Sequence, residues 1–136
     1  MRKIAVDLGD VRIGLASSDI MGIIASGSET YYRKGGEADV DYIAEFAKKM
    51  EADTIVIGLP VNMDGTEGER AEMSRQFARE LEPKTSCKIE FIDERLTSKS
   101  AERILISADM RREKRKQVID KVAAAIILQS YLDRIK

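Results

Sequence analysis

The sequence contains no histidine and a single cysteine, Cys87. The absence of histidine excludes Ser-His-Asp and Cys-His catalysis, histidine-ligated zinc and histidine as a general base. A lone cysteine cannot form an internal disulfide, and its place before an apolar strand pattern favours a small, half-buried residue. Any catalysis must therefore depend on carboxylates, lysines, hydroxyls or a hard metal ion bound through oxygen.

Long apolar runs and aromatic clusters are also absent. No run approaches the roughly 20 apolar residues that cross a bilayer, and the N-terminus MRKIAVDLGD lacks the apolar core of a signal peptide. We therefore expect a cytoplasmic protein with no membrane partner. The four tyrosines and three phenylalanines form no stacking cluster, which disfavours sequence-specific readout of single-stranded nucleic acid.

What is present is the composition of one globular domain. The 136 residues are 43% hydrophobic and 35% charged, with a net charge of −1, and we expect a single domain over 1–136. The charge is distributed unevenly, because the segment MRREKRK at 110–116 holds five basic residues and one acid. A basic patch of this kind can bind phosphates even on a nearly neutral protein.

The apolar spacing predicts five strands and four helices. The predicted strands are Lys3–Leu8, Arg12–Ser17, about Ile24–Tyr32, 54–60 and 88–94. The predicted helices are Val40–Met50, Glu69–Leu81, Ser98–Ala108 and about Lys116–Ile135. This order predicts an α/β fold with a mixed sheet and helices on both faces. The first three strands should be antiparallel, whereas helical crossovers should make the first, fourth and fifth strands parallel.

Two acids should emerge at one edge of this sheet. Asp7 lies within the first strand, and Glu94 lies with Asp93 at the C-terminal end of the fifth. Ligands of open α/β sheets bind outside the carboxyl ends of the strands. The fourth strand, which ends at Gly58, should lie between them, and strands are about 4.8 Å apart. We expect Asp7 and Glu94 to converge on cations but to be too far apart to pair directly. The alternatives are a turn cap for Asp7, a solvated strand end for Asp93 and Glu94, and a cap of the next helix for Asp93.

A third acid, Asp120, is expected on the last helix. It shares a face with apolar residues, namely Ala123, Ala124, Ile127 and Tyr131. The alternative is an N-cap, but Val118 and Ile119 already fit the helix and position 123 lacks the acid of a capping box. Three carboxylates without histidine or thiolate form a site for a hard divalent cation, Mg²⁺ or Mn²⁺. Two such ions could support phosphodiester hydrolysis.

Four motifs together resemble the YqgF (RuvX) family of pre-16S rRNA nucleases and RuvC-like Holliday junction resolvases. They are VDLGDVRIGLASSD, IVIGLPVNMDG, DERLTS and RKQVIDKVAAAIILQSYL, and the match runs from about residue 4 to about residue 132. The resemblance implies an RNase H-like fold with sheet order 3-2-1-4-5, and cytoplasmic processing of the 5′ end of pre-16S rRNA in the pre-ribosome. By matching motif, it assigns the catalytic, metal-binding acids to Asp7, Glu94 and Asp120.

Several further residues are candidates for nucleic-acid contacts. Arg12 could reach a phosphate, or it could pair with Asp10 or Asp19. Asn62 lies in a glycine-containing loop that could close over a strand, and Arg95 follows Glu94 directly. The basic segment before Asp120 favours phosphate contacts over a merely solvated surface. Its candidates are Arg111, Arg112, Lys114, Arg115 and Lys116.

Other functions are compatible with the same motifs. A resolvase of branched DNA would need a dimer for paired cuts, whereas an RNA nuclease could act as a monomer or a homodimer. A non-catalytic RNA- or ribosome-binding factor is disfavoured because all three acids are present. AVDLGDVRIG also resembles the phosphate loop of actin-like ATPases and sugar kinases. Those proteins need two such domains around a cleft, so this interpretation has little support.

Overall fold

The computed structural model describes residues 1–94 and 112–135, with the side chains of 112–119 outside the description. The strands are β1 (Arg2–Leu8), β2 (Arg12–Ser18), β3 (Ala25–Tyr32), β4 (Ala52–Leu59) and β5 (Lys88–Asp93). The helices are α1 (Gly36–Lys49), α2 (Glu69–Leu81) and α3 (Arg112–Arg134), and a short 3₁₀ turn covers Glu82–Lys84. The helix predicted at Ser98–Ala108 falls outside the described residues. Within the described part of the chain, no helix is long and apolar enough to cross a membrane.

The five strands form one mixed sheet in the order β3-β2-β1-β4-β5. β1 pairs with β2, and β2 with β3, in antiparallel fashion. β4 pairs in parallel with both β1 and β5. The predicted fold class is therefore confirmed, including the strand order. The parallel strands β1, β4 and β5 end at the same edge of the sheet, which is called the carboxyl edge below.

Each face of the sheet is covered by helices. On one face, Ile4, Val6 and Leu8 of β1 pack in a core with residues of α1 and α2, such as Ile43 and Phe77. On the other face, the core is smaller and is formed with α3; its buried members are Ala5, Ala16, Val56, Ile92, Ala124, Ile127, Leu128 and Leu132. The small residues on this face allow α3 to approach the sheet closely.

Two glycines set how closely α3 approaches. A Cβ built on Gly14 of β2 would lie 2.0 Å from the backbone oxygen of Asp120, and one on Gly27 of β3 would lie 3.0 Å from Cβ of Lys121. Side chains at these positions would push the helix off the sheet. The N-terminal half of α3 therefore lies directly on β2 and β3, and its distance from the sheet is fixed by the absence of side chains.

Two helices begin earlier than their apolar spacing predicts. α1 starts at Gly36 rather than Val40, because the added turn is held by polar contacts: backbone N–H groups of Lys34 and Gly35 donate to the carboxylate of buried Asp39. α3 starts at Arg112 rather than Lys116. In both cases the extra turn carries polar or charged residues, which leave no apolar periodicity to detect.

Candidate active site

Asp7 lies near the carboxyl end of β1 on the face covered by α3. It alternates with buried Ala5, which belongs to the α3 core, and its cross-strand partner on β2 is Gly14. The partner has no side chain, so the space beside Asp7 is available to the helix above. Asp7 is half-buried rather than solvated at a strand end, which does not fit the role of a simple turn cap.

Glu94 follows β5 and reaches across β4 to Asp7. A Cβ on Gly58 of β4 would lie 2.5 Å from Oε1 of Glu94, so the Glu94 side chain lies directly over this glycine. The carboxyl groups of Asp7 and Glu94 are joined by a hydrogen bond. The expectation that they are too far apart to pair directly is therefore wrong. Strand spacing gave the separation of the backbones, but it did not include the reach of a glutamate over a residue without a side chain.

The two carboxyl groups share a proton near neutral pH. Burial, followed by the hydrogen bond and charge of Asp7, raises the pKa of Glu94 to about 8. Burial also raises the pKa of Asp7, although its hydrogen bond with Glu94 opposes the shift. One proton is therefore held between the two carboxyl groups, because two adjacent carboxylates in a half-buried site cannot both ionise without a compensating cation.

Asp120 lies within α3 and contributes to the same cavity. It stands in the ninth position of the helix, so the N-cap alternative is excluded. A cavity of about 310 Å³ at the carboxyl edge is lined by Asp7, Gly9, Asp10, Val11, Arg12, Arg70 and Asp120. The charge of Asp120 contributes to the raised pKa of Asp7. The fold thus brings the three predicted acids to one edge of the sheet.

Arg12 contacts Asp120, which is neither of the partners expected from the sequence. Its Nε donates to Oδ2 of Asp120 at 2.6 Å, and the Arg12 side chain is 28% exposed. The correction has a topological reason: Asp10 and Asp19 flank β2, but Arg12 is beside the N-terminal half of α3. This ion pair offsets the negative charge of Asp120, and the shared proton offsets one negative charge of the pair formed by Asp7 and Glu94.

The donor set suits a hard divalent cation. Asp7 and Glu94 are in contact, Asp120 lines the same cavity, and all three offer carboxylate oxygens. Among residues 1–94 and 120–135 no three acids or cysteines are close enough together to hold a metal ion as placed, and Asp120 is paired with Arg12. The residues therefore fit a cation once the shared proton and the Arg12 contact are given up.

Asn62 lies in the loop between β4 and α2. Its side-chain amide donates to Oγ1 of Thr66 at 3.1 Å, and its backbone N–H donates to the Thr66 carbonyl at 2.8 Å. It lines a second cavity of about 260 Å³ with Pro60, Val61, Gly68, Glu69 and Arg70. Asn62 is exposed, and the cavity that it lines shares Arg70 with the cavity of Asp7 and Asp120. Its contact with a phosphate stays a prediction.

The remaining basic candidates are placed only in part. Arg95 and Arg111 lie outside the described residues. Arg112, Lys114, Arg115 and Lys116 belong to the first turns of α3, whose backbone alone is described there. The backbone of these turns precedes Asp120 by 4–8 residues, which is about 6–12 Å along the helix axis.

Two features of this site carried no signal in the sequence. Arg70, in the first turn of α2, lines both cavities. Arg33 donates from Nη1 to the carbonyl of Gly9 and from Nε to buried Asp39, both at 2.9 Å. These two hydrogen bonds of Arg33 connect the β1–β2 turn to α1. Arg70 is one of several polar positions of a predicted helix and Arg33 belongs to none of the four motifs, so only the spatial arrangement identifies them.

A larger cavity, of about 440 Å³, lies between α2 and β5. Phe91 and Cys87 form part of its wall, and Arg75 stacks over the Phe91 ring at 5.1 Å from its centroid. It contains none of the three predicted acids. Size alone therefore does not select the candidate site, which is chosen by its carboxylates.

Comparison with known proteins agrees with this architecture. Residues 1–134 match the family model described as "RuvX: Holliday junction resolvase". A protein of Halalkalibacterium halodurans named "Putative pre-16S rRNA nuclease" is 52% identical over 136 residues, covering 98% of this chain and 97% of the relative. A protein of the same name from Syntrophomonas wolfei is 48% identical over 133 residues, covering 98% and 94%.

The fold is shared with solved junction resolvases. Thermus thermophilus RuvC in complex with a Holliday junction aligns with a TM-score of 0.59 at 11% identity, covering 99% of this chain and 96% of RuvC. The fowlpox virus Holliday junction resolvase aligns with a TM-score of 0.57 at 12% identity, covering 98% and 99%. These similarities establish an RNase H-like fold. Together with the family match over nearly the whole sequence, they show that the chain is a member of the RuvX family.

Proposed function

We propose that this protein is a metal-dependent nuclease that hydrolyses phosphodiester bonds at the 5′ end of pre-16S rRNA. The observation that carries the proposal is the contact between the carboxyl groups of Asp7 and Glu94 in the region where Asp120 lines the cavity. The names of the relatives supply the substrate. Action on the pre-ribosome would place the protein in the cytoplasm.

The proposed cation ligands are Asp7, Glu94 and Asp120. When bound, two Mg²⁺ or Mn²⁺ ions would supply an activated water and stabilise the leaving oxygen. The protein's own task is to keep three acids together at low solvent exposure without unfolding. It does so with a proton shared by Asp7 and Glu94 and with the guanidinium of Arg12 beside Asp120.

Arg12 has a second task in this proposal. Its side chain is partly exposed on the wall of the cavity, so the guanidinium can turn from Asp120 to a substrate phosphate. The exchange replaces one charge-assisted hydrogen bond with another of similar strength. Arg12 therefore couples substrate binding to the release of Asp120, which then faces the cavity as a free carboxylate.

The basic turns of α3 are proposed to bind the flanking RNA. Arg112, Lys114, Arg115 and Lys116 precede Asp120 on the same helix, and Arg95 and Arg111 are further candidates in the part of the chain outside the described residues. Lysine and arginine contacts with phosphates add affinity without sequence information. Substrate choice would then depend on RNA shape, in agreement with the small number of aromatic residues.

A cleavage assay tests the proposal. Purified protein is incubated with a pre-16S 5′ precursor in Mg²⁺, in Mn²⁺ or with chelator, beside Asp7→Asn, Glu94→Gln and Asp120→Asn. We expect metal-dependent cutting that each variant lowers by at least about 100-fold, as for the loss of a principal catalytic group. Full cutting by Asp7→Asn, or cutting in chelator, would overturn the proposal. Binding without cutting would identify a non-catalytic RNA-binding factor.

Cleavage of branched DNA is the second candidate, because the matching family model is described as a Holliday junction resolvase. Symmetric cutting of a four-way junction requires two active sites. The same assay therefore includes a synthetic junction, and the mass of the complex is measured by light scattering. Paired cuts by a dimer would favour the resolvase function, whereas a monomer that leaves junctions intact would exclude it.

A further inference from the structure

We propose that Arg70 binds the substrate phosphate next to the one that is cut, on the side of the 60–68 loop. The inference rests on the proposed nuclease function and adds to it the path of the substrate strand across the protein. It assigns a second phosphate subsite and predicts that the substrate strand runs from the acids, past Arg70, toward Asn62.

Arg70 stands between two adjoining cavities. It lines the cavity that contains Asp7 and Asp120, and it also lines the cavity bounded by Pro60 and Asn62. Arg70 reaches the carboxyl edge from α2, which packs on the opposite face of the sheet from α3. A strand leaving the acids in the direction of the loop would therefore pass this arginine.

The guanidinium of Arg70 is available for a ligand. Among the described residues, it has no hydrogen bond or ion pair with another side chain. Two acids close to it in the sequence are already engaged: Glu67 binds Arg75 through two hydrogen bonds of 2.6 and 2.7 Å, and Glu72 binds Arg79 at 2.6 Å. Glu69 remains on the wall of the second cavity, where it limits the attraction without occupying the arginine.

The charge of Arg70 acts on Asp7 and Glu94 although it forms no ion pair with either acid. It lowers the pKa of Asp7 and that of Glu94, against the dominant effect of their burial. An arginine in direct contact with these carboxylates would compete with a cation for their oxygens. An arginine at Coulombic distance leaves them free and presents five N–H donors, whose fork geometry suits a phosphate.

A purely electrostatic role is the alternative, in which Arg70 only offsets the negative charge of the acids. The two roles differ in what they do to RNA. A phosphate ligand contributes affinity in the absence of metal and discriminates one phosphate from its neighbours. A compensating charge lowers the pKa values of the acids but does not distinguish one phosphate of the substrate from another.

The binding experiment uses the full chain carrying Asp7→Asn, a labelled single-stranded RNA and no divalent metal. Adding Arg70→Gln should weaken binding about tenfold and lower the salt slope by about one phosphate contact. Arg79→Gln is the matched control on the same helix and should leave affinity unchanged within twofold. Equal affinities for the Arg70→Gln and control proteins would overturn the proposal.

The cleavage experiment removes one phosphate charge at a time with a methylphosphonate linkage on either side of the cut. For the otherwise unaltered protein, one neighbouring linkage should slow cutting about tenfold. In the Arg70→Gln protein, the same linkage should not slow cutting any further. An equal penalty in both proteins would overturn the subsite. If the unaltered protein cuts no substrate, the nuclease proposal fails, and the binding experiment alone decides the role of Arg70.

Discussion

Gly14 is the cross-strand partner of Asp7, and it is also the residue on which the backbone of Asp120 rests. A Cβ on Gly14 would lie 2.0 Å from the Asp120 carbonyl oxygen. One glycine therefore brings two of the three acids together, because it leaves space beside β1 and lets α3 settle into that space. The packing of the helix and the assembly of the site have the same cause.

Gly14→Ala should separate α3 from the sheet. The clash is with backbone atoms, which cannot rotate away, so we expect a loss of about 3 kcal/mol in the free energy of unfolding, together with most of the activity. Gly27→Ala is the comparison. A Cβ on Gly27 would lie 3.0 Å from its nearest neighbour, Cβ of Lys121, so its cost should be about 1 kcal/mol. Urea denaturation measures both, and equal costs would contradict this account of the packing.

Gly58→Ala should affect activity more than stability. Its Cβ would meet Oε1 of Glu94 at 2.5 Å and Cδ1 of Ile127 at 2.7 Å, and both are ends of flexible side chains. Displacing Glu94 from Asp7 should lower kcat/KM about 100-fold, whereas the free energy of unfolding should fall by about 1–2 kcal/mol. Unchanged kcat/KM in this variant would show that Glu94 does not need its place above Gly58.

The pair of Asp7 and Glu94 makes the stability of the metal-free protein depend on pH. The pKa of Glu94 is about 8 in the folded protein, above its usual value of 4.5. The folded state therefore holds a proton that the unfolded chain releases, so stability falls as pH rises from about 4.5 to 8. Urea denaturation should show a loss of a few kcal/mol, at most about 5 kcal/mol, across this window.

Glu94→Gln should remove most of that slope, because its side chain does not titrate. Glu90→Gln on β5 is the matched control, and it should leave the slope as it is. The explanation by proton sharing would be wrong if the free energy of unfolding were flat from pH 5 to 8, or if Glu94→Gln left the slope unchanged.

Buried Asp39 organises the β1–β2 turn from a distance. Its carboxylate accepts from Tyr31 Oη, Arg33 Nε and backbone N–H groups at 2.8–3.2 Å, and Arg33 in turn holds the Gly9 carbonyl. Burial alone would raise the pKa of Asp39, but these hydrogen bonds outweigh it and hold the pKa below its usual value. Its contribution is therefore present at neutral pH and lost as acid protonates it.

Asp39→Ala should cost about 3–5 kcal/mol in the free energy of unfolding at pH 7, because it leaves Arg33, the buried Tyr31 hydroxyl and two backbone N–H groups without their acceptor. Asp41→Ala, an exposed acid on the same helix that binds Lys84, should cost under about 1 kcal/mol. Thermal denaturation compares the two. Similar costs would show that the buried network does not hold α1 and the turn.

Much of the fold could be predicted from the sequence. The alternation in β1 and the apolar run of β4 predicted a mixed sheet, and the apolar spacing in α2 predicted that helix from Glu69 to Leu81, as found. These signals arise from burial, which repeats along the chain with the period of each element. The extra first turns of α1 and α3 had no such signal, because polar and charged residues form them.

The site could be predicted only in its composition. The sequence indicated which acids meet, since strand direction determines the edge at which Asp7 and Glu94 emerge. It did not indicate their direct contact, which depends on Glu94 crossing Gly58. The pair of Arg12 and Asp120 joins residues 108 positions apart, and Arg70 is an ordinary exposed helix residue until the cavities on both sides of it are seen. Such relationships depend on three-dimensional placement rather than on a local pattern.

The central claim is that Asp7, Glu94 and Asp120 hold a divalent cation in exchange for the charges that now compensate them. Calorimetric titration of the metal-free protein with Mn²⁺ at pH 7, in buffers of different ionisation enthalpy, measures both affinity and protons released. We predict release of about one proton per protein on binding and at least about tenfold weaker binding by Asp7→Asn, Glu94→Gln and Asp120→Asn. Equal Mn²⁺ affinity in the unaltered protein and Asp7→Asn, with no proton released, would contradict the account.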